Sequence, residues 1–187
     1  YDWGQDLGRL ARMWRTAGQP DLSLVYYGMA DAAHFGLRRR DLIPTVGTEL
    51  PDGNDVPRAG PMWLAISASS LQGLDLSDHN LFAWARARRP LARAGYTIFI
   101  YDIGSDAEAL ERLGYIARNT DRPLMAAGYY GRAVALRPGF ADAWMGLGKA
   151  RLMQRDQAGA IAALKKALEL GASDPRLAAL IRKYGGP

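Results

Sequence analysis

The chain has 187 residues, is 49% hydrophobic and 23% charged, and carries a formal net charge of +5. This composition is that of an ordinary folded protein, and the absence of cysteine excludes disulfides and thiolate metal sites. The longest apolar run, residues 96–101, suits a buried strand and is far shorter than the roughly 20 residues that span a bilayer.

The first part of the chain, residues 1–104, predicts a small α/β domain with about three strands and flanking helices. Leu7, Leu10 and Trp14 form an apolar stripe at helical spacing, which predicts a helix at about residues 2–17. Three short runs are apolar on both faces, as in strands that are covered on both sides. These runs are residues 22–27, 63–67 and 96–103.

The connections between these strands differ in character. Ser77 and Asp78 predict the start of a helix between the last two strands, and the strand–helix–strand order favours a right-handed parallel crossover. A stretch rich in proline and glycine, at about residues 44–61, separates the first two strands. Unstructured loops of about 15 residues or more are commonly functional or mobile, and partial disorder is the simpler interpretation.

The second part of the chain, residues 105–187, contains an internal repeat. Residues 107–140 align with residues 141–174 at an offset of 34, that is, 141 minus 107, and tetratricopeptide repeats have a period of about 34 residues. The equivalent apolar or small residues are Leu110 and Trp144, Leu113 and Leu147, Gly114 and Gly148, Ala126 and Ala160, Tyr130 and Leu164, and Ala133 and Ala167. This pattern resembles the tetratricopeptide signature and predicts two helical hairpins.

Helix-end signals agree with the repeat. Ser105 with Glu108 predicts a capping box for a helix at about residues 106–118. Further helices are predicted at about residues 123–136, 140–153 and 157–170, with Gly171 as a C-cap. A last helix, about residues 175–184, caps the final repeat. Because two repeats bury little core alone, we expect the first hairpin to pack against the N-terminal domain.

The first helix of each hairpin is expected to line a concave groove. Six residues are predicted to face it, namely Glu111, Tyr115, Arg118, Met145, Lys149 and Leu152. They are chemically mixed and include no cluster of Lys and Asn that would clamp a peptide carboxylate. Two interpretations stay open: a groove for a protein partner, or a spacer and docking surface that holds no extended peptide.

No pattern in the chain predicts a catalytic centre, a cofactor site or a metal site. The serines at positions 67, 69 and 70 lack the flanking glycines of a nucleophile elbow, and no phosphate-cradling glycine loop occurs. His34 and His79 have no partner at metal-ligand spacing. Surface or capping roles are the more common explanation for such histidines.

Two polar clusters are candidates for ligand binding. Asp2, Trp3, Gln5 and Asp6 combine hydrogen-bonding groups with an aromatic ring, as a sugar site would. The same residues also suit a helix start, with Asp2 and Gln5 as a capping box and Asp6 in the first turn. The second cluster is basic and predicts contact with anionic lipid headgroups or nucleic acid, or only a solvated face. Its arginines are Arg38, Arg39, Arg40, Arg86, Arg88, Arg89 and Arg93.

Four motifs occur in order along the N-terminal domain. They are Asp-Trp-Gly-Gln-Asp-Leu at residues 2–7, Tyr-Gly-Met-Ala-Asp at 27–31, Ala-Ile-Ser-Ala-Ser-Ser-Leu-Gln-Gly at 65–73 and Gly-Tyr-Thr-Ile-Phe-Ile-Tyr at 95–101. The series resembles the soluble C-terminal region of bacterial polytopic membrane glycosyltransferases of the dolichyl-phosphate-mannose protein mannosyltransferase type. The resemblance covers about residues 1–103, and the repeats follow as an extra module.

The resemblance implies a non-catalytic accessory domain on the extracytoplasmic, periplasmic side of a bacterial inner membrane. The parent enzyme would transfer a sugar from a polyprenyl-phosphate donor. In that family the catalytic acid lies in an early loop between membrane helices, so no catalytic residue is assigned to this chain. The repeats would recruit a protein partner, and the domain would contact a glycan or the membrane surface. The alternatives are a free-standing tetratricopeptide adaptor, which fits a cytoplasmic location, and, least favoured, a nucleic-acid binder.

Overall fold

The computed structural model describes residues 4–43 and 55–185. These residues form two compact units, one of residues 4–43 with 60–105 and the other of residues 55–59 with 106–185. The first unit is built on a β-sheet, and the second consists mainly of helices. The predicted combination of an α/β part and an all-α part is therefore confirmed.

The sheet of the first unit is mixed and has five strands. The strands are β1 (Asp21–Val25), β2 (Arg40–Asp41), β3 (Met62–Ser67), β4 (Ala92–Ala94) and β5 (Ile98–Asp102). Their order across the sheet is β2-β1-β3-β5-β4. Strand β1 is parallel to both β2 and β3, whereas β5 is antiparallel to β3 and β4.

Two predictions about this sheet need correction. The expected three strands are present as β1, β3 and β5, but the count is too low because β2 and β4, of two and three residues, are too short to show a period. The parallel crossover between β3 and β5 is wrong. The helix expected to span it has only four residues, Ala83–Arg86, and β4 then pairs with β5, so β5 runs antiparallel to β3.

Helix α1 (Gln5–Thr16) covers one part of the sheet. It buries Leu7, Leu10 and Trp14 against a core that includes residues of β1 and β5. The helix begins later than predicted because Gly4 precedes it with φ +96°, and a Cβ there would lie 2.5 Å from the Cβ of Ala30. The predicted N-cap Asp2 lies outside the described residues.

The remaining helices of the first unit are short. A 3-10 helix spans Ala32–Phe35, α2 spans Ala68–Gln72 and α3 spans Ala83–Arg86. Helix α2 follows β3 without a loop. Its few residues mix polar and apolar side chains, so the hydrophobic period of the sequence does not show where the strand ends and the helix begins. Among the described residues, no helix combines the length and the hydropathy that a bilayer crossing requires.

The second unit follows the predicted order of helices closely. The helices are α4 (Ala107–Asn119), α5 (Pro123–Leu136), α6 (Ala141–Met153), α7 (Gln157–Glu169) and α8 (Leu177–Gly185). Past residue 105, the part of the chain that the structure describes contains no strand. The N-cap of α4 is Asp106, which accepts a hydrogen bond from the Ala109 amide at 2.9 Å. The predicted N-cap Ser105 is therefore one residue too early, because aspartate takes the position.

The same close approach between helices occurs in both hairpins. A Cβ at Gly114 would lie 2.9 Å from the Tyr130 ring, and a Cβ at Gly148 would lie 2.6 Å from the Leu164 side chain. The two pairs are separated by 34 residues in sequence. Tyr130 also fills the space beside Gly146 of α6, where a Cβ would lie 2.3 Å from its ring. Glycine at these positions thus leaves room for one large side chain between the two helices of each hairpin.

The turns inside the two hairpins are also equivalent. Asp121 has φ 55° and Arg155 has φ 63°, although neither is glycine. The amide after each of them bonds to the carbonyl five residues earlier, Arg122 to Ala117 at 2.9 Å and Asp156 to Arg151 at 3.0 Å. This is the Schellman arrangement of a helix C-terminus. The repeat therefore extends to the backbone conformation of its turns.

Two further segments cover parts of the helical unit. Helix α8, at the position of the predicted capping helix, buries Leu177 against Leu164 and Ala167 of α7. Residues 55–59 lie beside α5, where a Cβ at Gly128 would be 2.6 Å from Pro57. These five residues belong to the stretch rich in proline and glycine. The part of that stretch before Asp55 lies outside the described residues, and its last two residues, Gly60 and Pro61, belong to the first unit.

Candidate functional site

One face of α4 carries the first three predicted groove residues. Glu111, Tyr115 and Arg118 are spaced four and three residues apart, so they lie on one side of the helix. Tyr115 is 41% exposed, and the Arg118 guanidinium lies 5.5 Å from the centre of its ring, within cation–π distance. We call this set of three residues the α4 face.

Glu111 is the polar centre of the α4 face. Its side chain is only 14% exposed, and its ion pair with Arg112 is long, at 3.6 Å. Burial is the largest influence on this carboxyl and raises its pKa above the ordinary value, outweighing the opposing effect of nearby arginines. The carboxylate of Asp142, on α6, also raises the pKa of Glu111. The fold therefore keeps an incompletely compensated acidic group at this surface.

Tyr130 lies behind the α4 face and links it to the core. The residue is buried, and burial raises the pKa of its phenol well above the ordinary value. Glu111, Tyr115 and Arg118 are near enough to influence its ionisation. Sequence reasoning placed Tyr130 only in the core. The equivalent position in the second repeat is Leu164. The hydroxyl of Tyr130, a polar group at this core position, is the feature of the sequence that could have connected the residue to the site.

The other three predicted groove residues have different surroundings. Met145, Lys149 and Leu152 are 34 residues after Glu111, Tyr115 and Arg118, respectively. Met145 and Leu152 pack against the apolar cluster at Leu164, Ala167 and Leu177. The Lys149 ammonium lies 2.7 Å from the carboxylate of Asp174. On α6, Lys149 is thus paired with the segment that precedes α8, whereas Met145 and Leu152 join the apolar cluster of α7 and α8. The structure separates the six predicted residues into two groups of three.

The acidic and aromatic cluster near the N-terminus is described only in part. Asp2 and Trp3 lie outside the described residues, and Gln5 is exposed. Asp6 is buried, and one of its oxygens accepts hydrogen bonds from the amides of Tyr96 and Thr97 at 2.9 and 2.8 Å. Its carboxylate therefore holds the turn between β4 and β5. A sugar contact by this cluster stays a prediction.

The predicted basic cluster divides between buried and exposed side chains. Arg40 is buried and forms an ion pair with Asp21. Arg39 pairs with Asp41 at 3.0 Å, and Arg86 donates to the backbone carbonyls of Leu71 and His79. Of the seven arginines in this cluster, Arg38, Arg89 and Arg93 are exposed, and Arg93 lies over the Phe99 ring and donates to the Tyr96 carbonyl. Contact with an anionic surface stays a prediction and depends chiefly on Arg38 and Arg89.

Metal binding has no structural basis within the described residues. In residues 4–43 and 55–185, no three histidine, aspartate or glutamate side chains converge closely enough to hold an ion. Of the candidate sites, the α4 face is the one that combines a partly exposed aromatic ring, a guanidinium group and an incompletely compensated carboxylate.

Comparison with known proteins gives one family match. The model of a tetratricopeptide repeat family matches residues 120–184, the region from the turn after α4 to the end of α8. Among curated proteins, no significant match is found. Tetratricopeptide repeats present extended surfaces for binding other proteins. Residues 120–184 thus have the sequence features of the tetratricopeptide repeat family, in the part of the chain where the structure shows the repeated helical hairpins.

Proposed function

We propose that this chain is a non-catalytic accessory region whose helical unit binds a protein partner through the α4 face. The observation that carries the proposal is the contrast between equivalent positions of the two repeats. On α6, Lys149 pairs with Asp174, and Met145 and Leu152 pack against the apolar cluster that α7 and α8 form. On α4 they present a partly exposed tyrosine, an arginine and a poorly compensated carboxylate.

The chemistry of the α4 face indicates what a partner must supply. Tyrosine and arginine are enriched among residues that contribute most to protein–protein binding. A half-buried carboxylate gains most from a cationic group that arrives with its own hydrogen-bond donors. We therefore infer that the partner places a lysine or arginine against Glu111 and an apolar side chain against Tyr115.

Two variants of the α4 face and one control test this proposal. Proteins that copurify with the full-length protein from its host are quantified for wild type, Tyr115→Ala, Glu111→Gln and Leu168→Ala. Leu168 is a comparably exposed residue, on α7, and serves as the matched control. We expect the α4 variants to lose a specific protein by about tenfold or more, which corresponds to about 1.4 kcal/mol. Equal recovery with all four proteins would refute the role of the α4 face.

We further propose that this region belongs to a membrane glycosyltransferase that uses a polyprenyl-phosphate-linked sugar and that it lies on the extracytoplasmic side of the membrane. The support is the ordered resemblance of four motifs over about residues 1–103. Two of the motifs meet in space, since the Tyr27 amide donates to the Ser67 hydroxyl at 3.2 Å. The motifs thus belong to one structural unit.

The gene itself provides the first test of the glycosyltransferase proposal. We expect the reading frame upstream of Tyr1 to encode eight or more apolar spans of about 20 residues each. Removal of this region from the parent protein should then impair sugar transfer to the natural acceptor without removing the catalytic loop. A gene product that lacks such spans and resides in the cytoplasm would instead favour the free-standing adaptor.

The proposed surface contacts of the first unit have separate tests. For lipid contact, the whole chain is mixed with vesicles that contain anionic lipid, and Arg38→Gln with Arg89→Gln should reduce flotation, while Arg155→Gln should not. For glycan contact by residues 2–6, Trp3→Ala should weaken binding of a sugar phosphate. Unchanged flotation or unchanged sugar binding, in a folded variant, would remove the corresponding contact from the proposal.

A further inference from the structure

A hydrogen-bonded chain of polar side chains crosses the ends of β1 and β3 in the first unit. The Tyr27 amide donates to the hydroxyl of Ser67 at 3.2 Å, and the hydroxyl oxygens of Ser67 and Ser70 are 2.9 Å apart. The Ser70 hydroxyl donates to Asp75 Oδ2 at 2.8 Å. Because Ser70 has a single hydroxyl proton, Ser67 must be the donor to Ser70. The chain therefore runs in one direction, from the backbone after β1 to the Asp75 carboxylate.

The Asp75 carboxylate still has capacity to accept a hydrogen bond. Its other oxygen, Oδ1, is buried and has no hydrogen-bond partner among the described residues. Buried polar atoms are almost always paired in folded proteins. The torsion about the Cβ–Cγ bond of aspartate is broad, so a small rotation of this carboxylate can turn an oxygen toward a ligand.

A cavity of about 290 Å³ opens beside this carboxylate, lined by Tyr27, Ser69, Leu74 and Asp75. The volume is at the lower end of the range of about 300–1,000 Å³ that is usual for small-molecule sites. It suits a single ring with its substituents. Tyr27 is 37% exposed and provides an aromatic residue at the wall, so the cavity combines an aromatic residue, a carboxylate residue and one serine, Ser69.

The cavity also lies at the position in the sheet where α/β proteins bind ligands. The parallel strands have the order β2-β1-β3, so the chain moves from β1 to one side and then crosses to the other. The reversal falls between β1 and β3. In open α/β sheets, ligands bind outside the carboxyl ends of the strands at such a switch point. Tyr27 follows the end of β1, and Ser67 is the last residue of β3.

We infer that this cavity binds a neutral ligand rich in hydroxyl groups, of the size of one monosaccharide. Hydroxyl groups both donate and accept, and they can donate to Asp75 once a small rotation about its Cβ–Cγ bond turns an oxygen of its carboxylate toward the cavity. Asp75 would repel an anion, and a cation would find a single carboxylate among the residues that line the cavity. The site lies within the first unit and depends neither on the α4 face nor on the glycosyltransferase proposal.

The inference is tested by titrating the isotope-labelled whole chain with free neutral monosaccharides and following the backbone amide signals. The probes are D-glucose, D-galactose, D-mannose and N-acetyl-D-glucosamine, with choline and inorganic phosphate as charged counter-probes. We expect at least one sugar to shift the amides of Tyr27, Ser69 and Asp75, whereas the two charged probes leave them unchanged. Absence of shifts with every sugar, or shifts with choline or phosphate alone, would overturn the inference.

Three variants connect binding to the named side chains. Asp75→Asn retains an acceptor for Ser70 but loses the charge, and we expect the sugar affinity to fall about tenfold. Asp78→Asn is the matched control, because Asp78 lies on an exposed turn three residues later, and its affinity should equal that of wild type. Should Asp75→Asn fail to fold, Ser69→Ala removes a hydroxyl at the cavity wall and should weaken binding as well. Wild-type affinity in the folded cavity variants would contradict the assignment.

Discussion

The carboxylate of Asp6 ties α1 to the turn between β4 and β5. Besides the two amides, the Thr97 hydroxyl donates to it at 2.8 Å. Burial by itself raises the pKa of Asp6, but the hydrogen bonds from the turn and the nearby Arg9 lower it by more, so the net pKa lies below the ordinary value. The turn approaches so closely that a Cβ at Gly95 would lie 1.8 Å from the carboxylate.

This arrangement predicts a pH-dependent contribution to stability. A carboxylate with a lowered folded-state pKa stabilises the fold above its ordinary pKa of about 3.9, and the contribution disappears as the pH falls through the folded-state value. We expect Asp6→Asn to lower the free energy of unfolding of the first unit by about 2 kcal/mol at pH 7. The difference from wild type should shrink below about pH 4, as measured by urea unfolding over a pH series.

A matched variant separates this effect from a general loss of charge. Asp78→Asn neutralises an exposed carboxylate in the same unit and should change stability little. Faster exchange of the Thr97 amide in Asp6→Asn alone would locate the effect at the turn. A difference between Asp6→Asn and wild type that stays constant down to pH 2 would show that the hydrogen bonds do not depend on the charge.

The turn residues in the left-handed region predict a substitution that raises the free energy of unfolding, whereas Asp6→Asn lowers it. A non-glycine residue in this region has a conformational cost of roughly 1–2 kcal/mol, and Arg155 occupies it with φ 63°. We expect Arg155→Gly to raise the free energy of unfolding of the helical unit by up to about 1 kcal/mol, as measured by thermal or urea unfolding. Lys165→Gly, in the regular part of α7, should lower it by about 1 kcal/mol. Destabilisation by both glycines would contradict the strained turn.

Among the helices, the buried ring of Tyr130 on α5 packs beside Gly114 of α4 and Gly146 of α6. A methyl group at Gly146 would meet the buried ring at 2.3 Å, whereas a Cβ at Gly131, on α5, has nothing within 4 Å. We therefore expect Gly146→Ala to destabilise the unit by roughly 1–3 kcal/mol. Gly131→Ala should stabilise it by about 0.5–1 kcal/mol, because alanine favours helix.

Urea unfolding of the two alanine variants tests this comparison directly, because both make the same change inside a helix. Helical propensity predicts stabilisation in both cases, and only the Tyr130 contact reverses the sign at Gly146. If both substitutions stabilise the unit, the hairpins do not pack as closely as the structure shows.

The helical elements were more predictable from sequence than the sheet, for a physical reason. A period of 34 residues repeats the core positions of the hairpins, so the bounds of α5 are predicted to the residue and those of the other helices of the second unit to within one or two residues. Strands β2 and β4 are held by pairing with neighbours that are distant in sequence, and two or three residues show no period. Helix α2 follows β3 directly, and its start is decided by the tertiary structure.

The candidate site was predictable only in part for the same reason. The 34-residue register predicts which residues of α4 and α6 are equivalent, but it does not reveal that Met145 joins the apolar cluster of α7 and α8 or that Lys149 pairs with Asp174. The bond from the Tyr27 amide to Ser67 joins residues 40 apart and depends on the parallel pairing of β1 and β3, which neighbouring residues do not encode. Packing of the two units against each other stays a prediction from the sequence.

At the scale of the whole molecule, the two units present different kinds of surface. The first unit has a small polar cavity at the carboxyl ends of parallel strands, and the second has an exposed helix face of mixed charge. Such a division suits an accessory region that binds a small hydroxylated ligand at one site and a protein at another. In the proposed function, the α4 face is the surface that binds the protein.

Site-specific photo-crosslinking in cells tests whether the α4 face contacts a protein partner. A photoreactive amino acid replaces Tyr115 on the α4 face, or Leu168 on α7, in the full-length protein, and adducts are identified after irradiation. We expect a discrete adduct with one protein from position 115, lost when Glu111→Lys is added, and no such adduct from position 168. Equal adducts from both positions, or none from position 115, would contradict it.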